Sequence, residues 1–480
     1  MYDMLVHGGT VVSATGAEQQ DLAIKDGTVA AVGSSGSLGV EATKVIDAGG
    51  KMVLPGGVDP HVHYGIKFEE ILSAEKQEYS WAAAWGGTTT VIDFALQSED
   101  QPLHEAVQAK KDEAAGRMAV DYSFHAMLTG TPTFEVIEEI GDVIRGGIPT
   151  VKTLTTYLWM MDDGHRLGVM DAVAENGGLS IVHAEDDAIA NFLTAKYVRE
   201  GKTHGAYVSE TRGAIVEEAA IRRCLLLAEH TGSPLYIFHM AAGSGIRALA
   251  EARAKGLPVY GETLIIYLTF SSEVLWDDAR RGLLWNNIPS LKSGDDVDGC
   301  WEGVQRDFCQ VVSSDHFAIK ADVRYEKMGS TVEFSQGGQS SVEMRIPVLW
   351  SEGVERGRIS ASRLVELTST NPAKIMGLYP RKGHLGVGAD ADIAILDPQK
   401  TWTPRWQDHH MIVDYNNWED IRLTGKVVTT ILRGSVLLED ESWVGSRTSG
   451  EFQERKLLPE ITSSPRGSRS TSQSLDATAL

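Results

Sequence analysis

The stretch Met52-Val53-Leu54-Pro55-Gly56-Gly57-Val58-Asp59-Pro60-His61-Val62-His63 is an apolar run that ends in two imidazoles one residue apart. In extended backbone, side chains alternate faces, so His61 and His63 point one way and Val62 the other. Two imidazoles on one face can grip one metal ion. A (β/α)8 barrel places its chemistry in this way, at the C-terminal ends of its strands. A bare His-x-His is also compatible with a pair of hydrogen-bonded structural histidines, so the choice depends on what the other strand ends carry.

Seven further β-rich apolar runs follow the first at 52–58: 88–94, 119–125, 149–154, 179–183, 235–239, 258–263 and 308–315. Helical stretches separate most of them, notably Gly213 to Thr231 and Ser244 to Lys255, as expected for parallel strands joined by crossovers. The expectation is an α/β fold, a (β/α)8 barrel over residues 52–384. A doubly wound open sheet is the alternative, but it would not gather all these strand ends around one centre. Residues 1–51 instead form short alternating runs broken by Gly, and the same texture returns in 385–450. The two ends are therefore expected to pair into one discontinuous β-sandwich domain flanking the barrel. From Glu451 to Leu480 periodicity is lost and Ser, Arg and Thr accumulate, which predicts a mobile tail.

A length of 480 residues at 42% hydrophobic content suffices for a large core and a second unit. The formal charge of -22 argues against nucleic acid or an anionic membrane as partner. No window approaches the roughly 18 uninterrupted apolar residues of a membrane span, and the N-terminus lacks a signal-peptide layout, so the expected compartment is the cytoplasm. Cys224, Cys300 and Cys309 are scattered and give neither a disulfide framework nor a thiolate metal site.

The runs supply His61 and His63, Lys152, His183, His239 and Asp315, each at or near a run's end. One such histidine alone is better read as a core histidine bonded to backbone. So many ligand types at independent strand ends favour a metal site. Four imidazoles and a carboxylate suit zinc-like divalent metals, and their number suggests two ions. Two neighbouring cations need an anionic bridge. Lys152 becomes one if CO2 carboxylates its amine, a reaction that a buried lysine with a lowered pKa allows.

These residues, with Pro55–His63, Gly147–Lys152, Val182–Glu185, Ser314-Asp315-His316 and Asn371–Gly383, resemble the dihydropyrimidinase and D-hydantoinase branch of the amidohydrolase superfamily, from the N-terminus to about Gly450. The resemblance implies a barrel with a β-sandwich and a binuclear zinc site. His61 and His63 with Asp315 would bind the more buried ion, His183 and His239 the more exposed one, and N6-carboxylated Lys152 would bridge them. It implies ring opening of a cyclic amide, a 5-substituted hydantoin or dihydropyrimidine, to an N-carbamoyl amino acid by a metal-bridging hydroxide. Asp315 would move the proton and Tyr157 would stabilise the oxyanion. Ile288 and Gly337 would supply backbone contacts to the ring, within loops that depart from the family pattern.

Loops 64–74, 94–103 and 155–165 are expected to frame the mouth, so Tyr64, Phe94, Leu158 and Trp159 are candidates for contacting the exocyclic group. Such an apolar lining predicts that bulky or aryl hydantoins turn over better than hydantoin; an apolar subunit contact is the competing reading. The family pattern implies a homotetramer, or a dimer. Two other readings are an allantoinase-like amide hydrolase on the same cage and a non-catalytic scaffold of the collapsin-response type.

Overall fold

A computed structural model describes residues 1–38, 41–68, 71–98, 101–277, 281–327, 331–334 and 337–463. Eight parallel strands hydrogen-bond in chain order: Gly57–Asp59, Thr88–Leu96, Asp121–Met127, Thr150–Leu154, Leu179–His183, Leu235–Ile237, Val259–Leu264 and Val311–Ser313. Each overlaps one of the eight apolar runs. Their residues are buried almost from end to end, because helices cover the outside of the barrel and side chains fill its inside. Backbone bonds just beyond the first and last strands close the ring: His316 N–H donates to His61 O at 3.2 Å, and His63 N–H donates to His316 O at 2.8 Å. This exchange brings Asp315 alongside His61 and His63.

The crossover helices start and stop on side-chain chemistry. Asp162, Asp186 and Ser293 accept backbone N–H bonds at the starts of Asp163–Glu175, Asp187–Arg199 and Gly294–Gln305. Ala214–Thr231 ends at Gly232, whose φ of 74° suits a residue without Cβ.

A nine-stranded mixed sheet draws on both chain ends. Tyr2–Ser13 pairs with Ala42–Asp47 over its first half and with Met52–Pro55 over its second, and Met52–Pro55 in turn pairs with Ile393–Trp402. Val6, Leu22, Ile46, Val53, Ile393 and Ile431 share one apolar cluster across these strands. The run 52–58 is thus divided between two sheets. Gly56 permits the crossing, since a Cβ there would stand 2.2 Å from Thr89 Oγ1. The two units are joined by a buried charge cluster in which Lys382 Nζ lies 2.7 Å from Asp121, 2.9 Å from Asp390 and 2.7 Å from Asp392.

The stretch expected to be mobile from Glu451 is ordered as far as Ser463. Gln453 N–H donates to Tyr122 O at 2.7 Å, and the Phe452 ring lies against Phe124. Arg455 is buried beneath the barrel, donating to Ser123 Oγ and Thr150 Oγ1 at 2.8 Å each. Leu457 and Ile461 complete the seal. A few well-placed anchors order this segment in spite of its aperiodic sequence; 464–480 lies outside the described residues. No helix among the described residues is long and apolar enough to cross a membrane.

Candidate metal centre and cleft

Every expected ligand reaches one cleft at the C-terminal ends of the barrel strands. His61 and His63 extend the first strand, Lys152 points inward from the fourth, His183 closes the fifth, and His239 and Asp315 follow the sixth and eighth. His61 Nε2 and His63 Nε2 are each 3.0 Å from Asp315 Oδ1. Nearby, His183 Nδ1 is 2.9 Å from His239 Nε2. His239 and Asp315, like Tyr157, have positive φ, at 39°, 49° and 66°, so the site holds three residues in the backbone region that L side chains disfavour.

The protonation pattern of these groups suits a cation. Burial first, then the Lys152 charge, pushes His61 well below the ordinary imidazole range; burial is also the leading cause of the lowered values of His63, His183 and His239. The rings are therefore neutral near pH 7, and each carries a lone pair. His61 Nδ1 sits 2.6 Å from Glu262 Oε1 and, in the tautomer protonated at Nδ1, donates to it. That leaves His61 Nε2 as an acceptor facing the Asp315 carboxylate, with no hydrogen-bond partner among the described residues. Two facing acceptors at this separation repel unless a positive ion lies between them, and imidazole nitrogen with carboxylate is a donor set that zinc-like ions take.

Asp315 is ionised. Burial opposes this, but the His63 hydrogen bond and the His239 field hold its carboxyl below the ordinary range. Lys152 is enclosed by Phe94 and Phe238, its Nζ 4.2 and 4.7 Å from the ring centroids, and burial brings its pKa down to about 8 despite the opposing fields of Asp315 and Glu262.

Three supporting residues were given no role in the sequence reading, although Glu185 ends the motif Val182–Glu185. Glu262 accepts from Tyr236 Oη at 2.9 Å as well as from His61, and burial raises its carboxyl well above the ordinary range. A cation on His61 would restore its ionised form. Glu185 accepts from His183 Nε2 at 3.0 Å; burial opposes its charge, yet Arg212 and that bond bring its carboxyl to about 2. Arg212 closes the chain, with Nη1 3.2 Å from Glu185. Glu262 could have been found in the sequence, since it stands near the end of the 258–263 run.

Of the expected substrate contacts, Tyr157, Trp159, Ile288 and Gly337 line the cleft. Gly337 packs so closely on the 286–287 backbone that a Cβ would lie 2.5 Å from Asn287 Cα. Three candidates do not line it. Tyr64 follows His63 on the opposite face and is buried against His316. Phe94 lies beneath the site, stacked on His63 at 4.6 Å. Leu158 is 77% exposed and faces a neighbouring groove, with Trp159 between it and the cleft. Ile66 and Phe317 supply wall that the sequence reading had not assigned.

A model of the amidohydrolase family matches residues 52–437. The chain belongs to the amidohydrolase family. It is 35% identical to a D-hydantoinase of Streptomyces coelicolor over 464 residues, 95% of this chain and 99% of that one. It is 33% identical to a D-phenylhydantoinase of Escherichia coli, over 94% and 98% of the two chains. The solved structure of dihydropyrimidinase from Brevibacillus agri superposes with a TM-score of 0.90 at 33% identity, covering 95% of this chain and 99% of that one. The amidohydrolase barrel and its His/Asp cage are thus present here together, with His61, His63 and Asp315 offering ligand atoms within 4.8 Å of one another.

Proposed function

We propose that this amidohydrolase is a metal-dependent cyclic amidase, which hydrolyses the ring amide of a 5-substituted hydantoin or a dihydropyrimidine to give an N-carbamoyl amino acid. The observation that carries the reading is the convergence of four neutral imidazoles and an ionised Asp315 in one cleft. The chain around them is, over nearly its whole length, 35% identical to a D-hydantoinase.

His61 and His63 with Asp315 would hold one zinc ion, and His183 with His239 a second. Lys152 would bridge the two as its N6-carboxylate. With a pKa of about 8, its neutral amine is accessible near neutral pH, adds CO2 and releases a proton. Divalent ions held in such a cage lower the pKa of coordinated water and polarise a carbonyl oxygen. Asp315 accepts the water's proton on its carboxylate and passes it to the departing ring nitrogen, one group serving as base and then acid. Tyr157 donates its hydroxyl proton in a hydrogen bond to the carbonyl oxygen as negative charge develops there. Backbone groups at Ile288 and Gly337 hold the ring amide.

The wall formed by Ile66, Leu154, Trp159 and Phe317 is apolar. It supports aryl and other bulky substituents at C5, as in the phenylhydantoin of the Escherichia coli relative's name. A ureido substrate such as allantoin would want polar partners there. On this reading the enzyme is a cytoplasmic homotetramer, which would cover the exposed Phe134 and Leu158 side chains.

The test is metal analysis of the purified protein coupled to ring-opening assays on dihydrouracil, hydantoin, 5-phenylhydantoin and allantoin, with and without chelator. The expected result is two metal ions per chain and chelator-sensitive opening of the first three, fastest for the phenyl compound. Metal-loaded protein inactive on all four would overturn the substrate class. Protein that stays metal-free and inactive after zinc and bicarbonate are supplied would overturn the enzyme.

A further inference from the structure

Arg212 follows the short helix Val208–Thr211 and is held at both ends. Its carbonyl oxygen accepts from Lys292 Nζ at 2.6 Å and from Ser290 Oγ at 3.2 Å, which ties it to the loop that carries Ile288 into the cleft. Its guanidinium makes three contacts in different parts of the site. Nη1 donates to Glu185 Oε2 at 3.2 Å, the same oxygen that takes the His183 Nε2 proton. Both terminal nitrogens lie 3.4 Å from Thr156 Oγ1. Its carbon stands 4.3 Å over the centre of the Tyr157 ring.

The last contact matters because the Tyr157 backbone is left-handed, with φ of 66°, so its own conformational preference does not hold the ring in place. A planar cation on an aromatic face fixes the ring plane and draws electron density from it, which makes the phenol a stronger hydrogen-bond donor. The Glu185 contact orients His183 through a charged pair that is almost completely buried.

We infer that Arg212 is a positioning residue that locks the Tyr157 ring over the cleft while bracing His183 through Glu185, so that one side chain sets the oxyanion donor and a metal ligand in register. This rests on the reading of Tyr157 as the oxyanion donor. Arg212→Lys keeps a cation for Glu185 but has no plane to lay on the ring, and so isolates the Tyr157 arm.

The experiment measures kcat, KM and zinc content for hydantoin opening by zinc-loaded wild type, Arg212→Lys, Arg212→Met, Tyr157→Phe and the two double variants. Arg212→Lys should retain two zinc ions per chain and a KM within about twofold, yet lose about tenfold in kcat; Tyr157→Phe should lose about 100-fold. In the Tyr157→Phe background, Arg212→Lys should cost less than about twofold, because the group it acts through has gone. Arg212→Met should in addition lower zinc content. An equal loss from Arg212→Lys in both backgrounds, or full kcat in Arg212→Lys alone, would overturn the inference. Full kcat in Tyr157→Phe would remove the oxyanion role, and this inference with it. Wild type that opens no ring fails the cyclic amidase reading before any variant is compared. Should Arg212→Met not fold, the lysine series still decides.

Discussion

Glu262 lies 2.6 Å from His61 Nδ1 and accepts the Tyr236 hydroxyl on its other oxygen at 2.9 Å, so the carboxylate sets both the tautomer and the tilt of the innermost imidazole. It also accepts the His239 backbone N–H at 3.3 Å, linking candidate ligands that follow two different strands. Removing its charge while keeping its shape should weaken metal binding and leave the barrel intact. Glu262→Gln is expected to lower zinc affinity about 10- to 100-fold. Competition with a chromophoric chelator measures this directly, and an affinity equal to wild type would show that the carboxylate is only structural.

Trp159 forms part of the cleft wall on one side and lines the neighbouring groove on the other. Its truncation should open the wall beside the C5 substituent and remove contact area from an aryl group, while hydantoin, which has no substituent, is barely affected. Trp159→Ala is expected to reduce the ratio of kcat/KM for 5-phenylhydantoin over hydantoin by about tenfold or more. An unchanged ratio would place the aryl-binding wall elsewhere.

Glu217 is buried in the helix Ala214–Thr231 and accepts the N–H groups of Ala241 and Ala242 at 3.0 and 2.9 Å. Burial raises its carboxyl from 4.5 to about 7, against the attraction of Lys292 at 4.0 Å. The native state therefore keeps this proton up to about pH 7, whereas the unfolded chain releases it near 4.5. Between those values the folded form binds more protons, so this group's contribution to stability falls as pH rises, by up to about 3 kcal/mol in all. Glu217→Gln has no such titration. The thermal midpoint of wild type relative to Glu217→Gln should decline from pH 4.5 to 7 and level off above; a flat or rising difference would contradict the assignment.

The barrel was readable because parallel strands buried on both faces appear as unbroken apolar runs, and all eight runs became barrel strands. The candidate ligands that meet in the cleft were readable because they stand at or near the ends of those runs. Glu185, Arg212 and Glu262 were not picked out, since a supporting carboxylate or guanidinium has no required spacing. His61 and Glu262 stand 201 positions apart and meet only through the closed ring. Tyr64 and Leu158 were placed at the mouth by loop membership alone, whereas the alternation after His63 and the bulk of Trp159 send them elsewhere. The single run 52–58 concealed a change of sheet, because Gly56 interrupts the pairing without interrupting the hydrophobicity.

The stretch 451–463 was misread for a related reason: its polar composition hides the side-chain anchors Phe452, Arg455, Leu457 and Ile461. Arg455 is the most constrained of them, 3% exposed, with its guanidinium satisfying Ser123 Oγ, Thr150 Oγ1 and the carbonyl oxygens of Met376 and Phe124. Burial lowers its pKa to about 9, still above neutral, so the charge is carried into the barrel floor and offset by these oxygens. Arg455→Met fills similar space but leaves the buried acceptors without donors, each at a cost of about 1–3 kcal/mol. The variant should lower the thermal midpoint by several degrees while kcat on hydantoin at 25 °C stays within about twofold, because the residue lies beneath the strands and not in the cleft. Loss of activity without loss of stability would mean that the floor of the barrel also sets the geometry of its mouth.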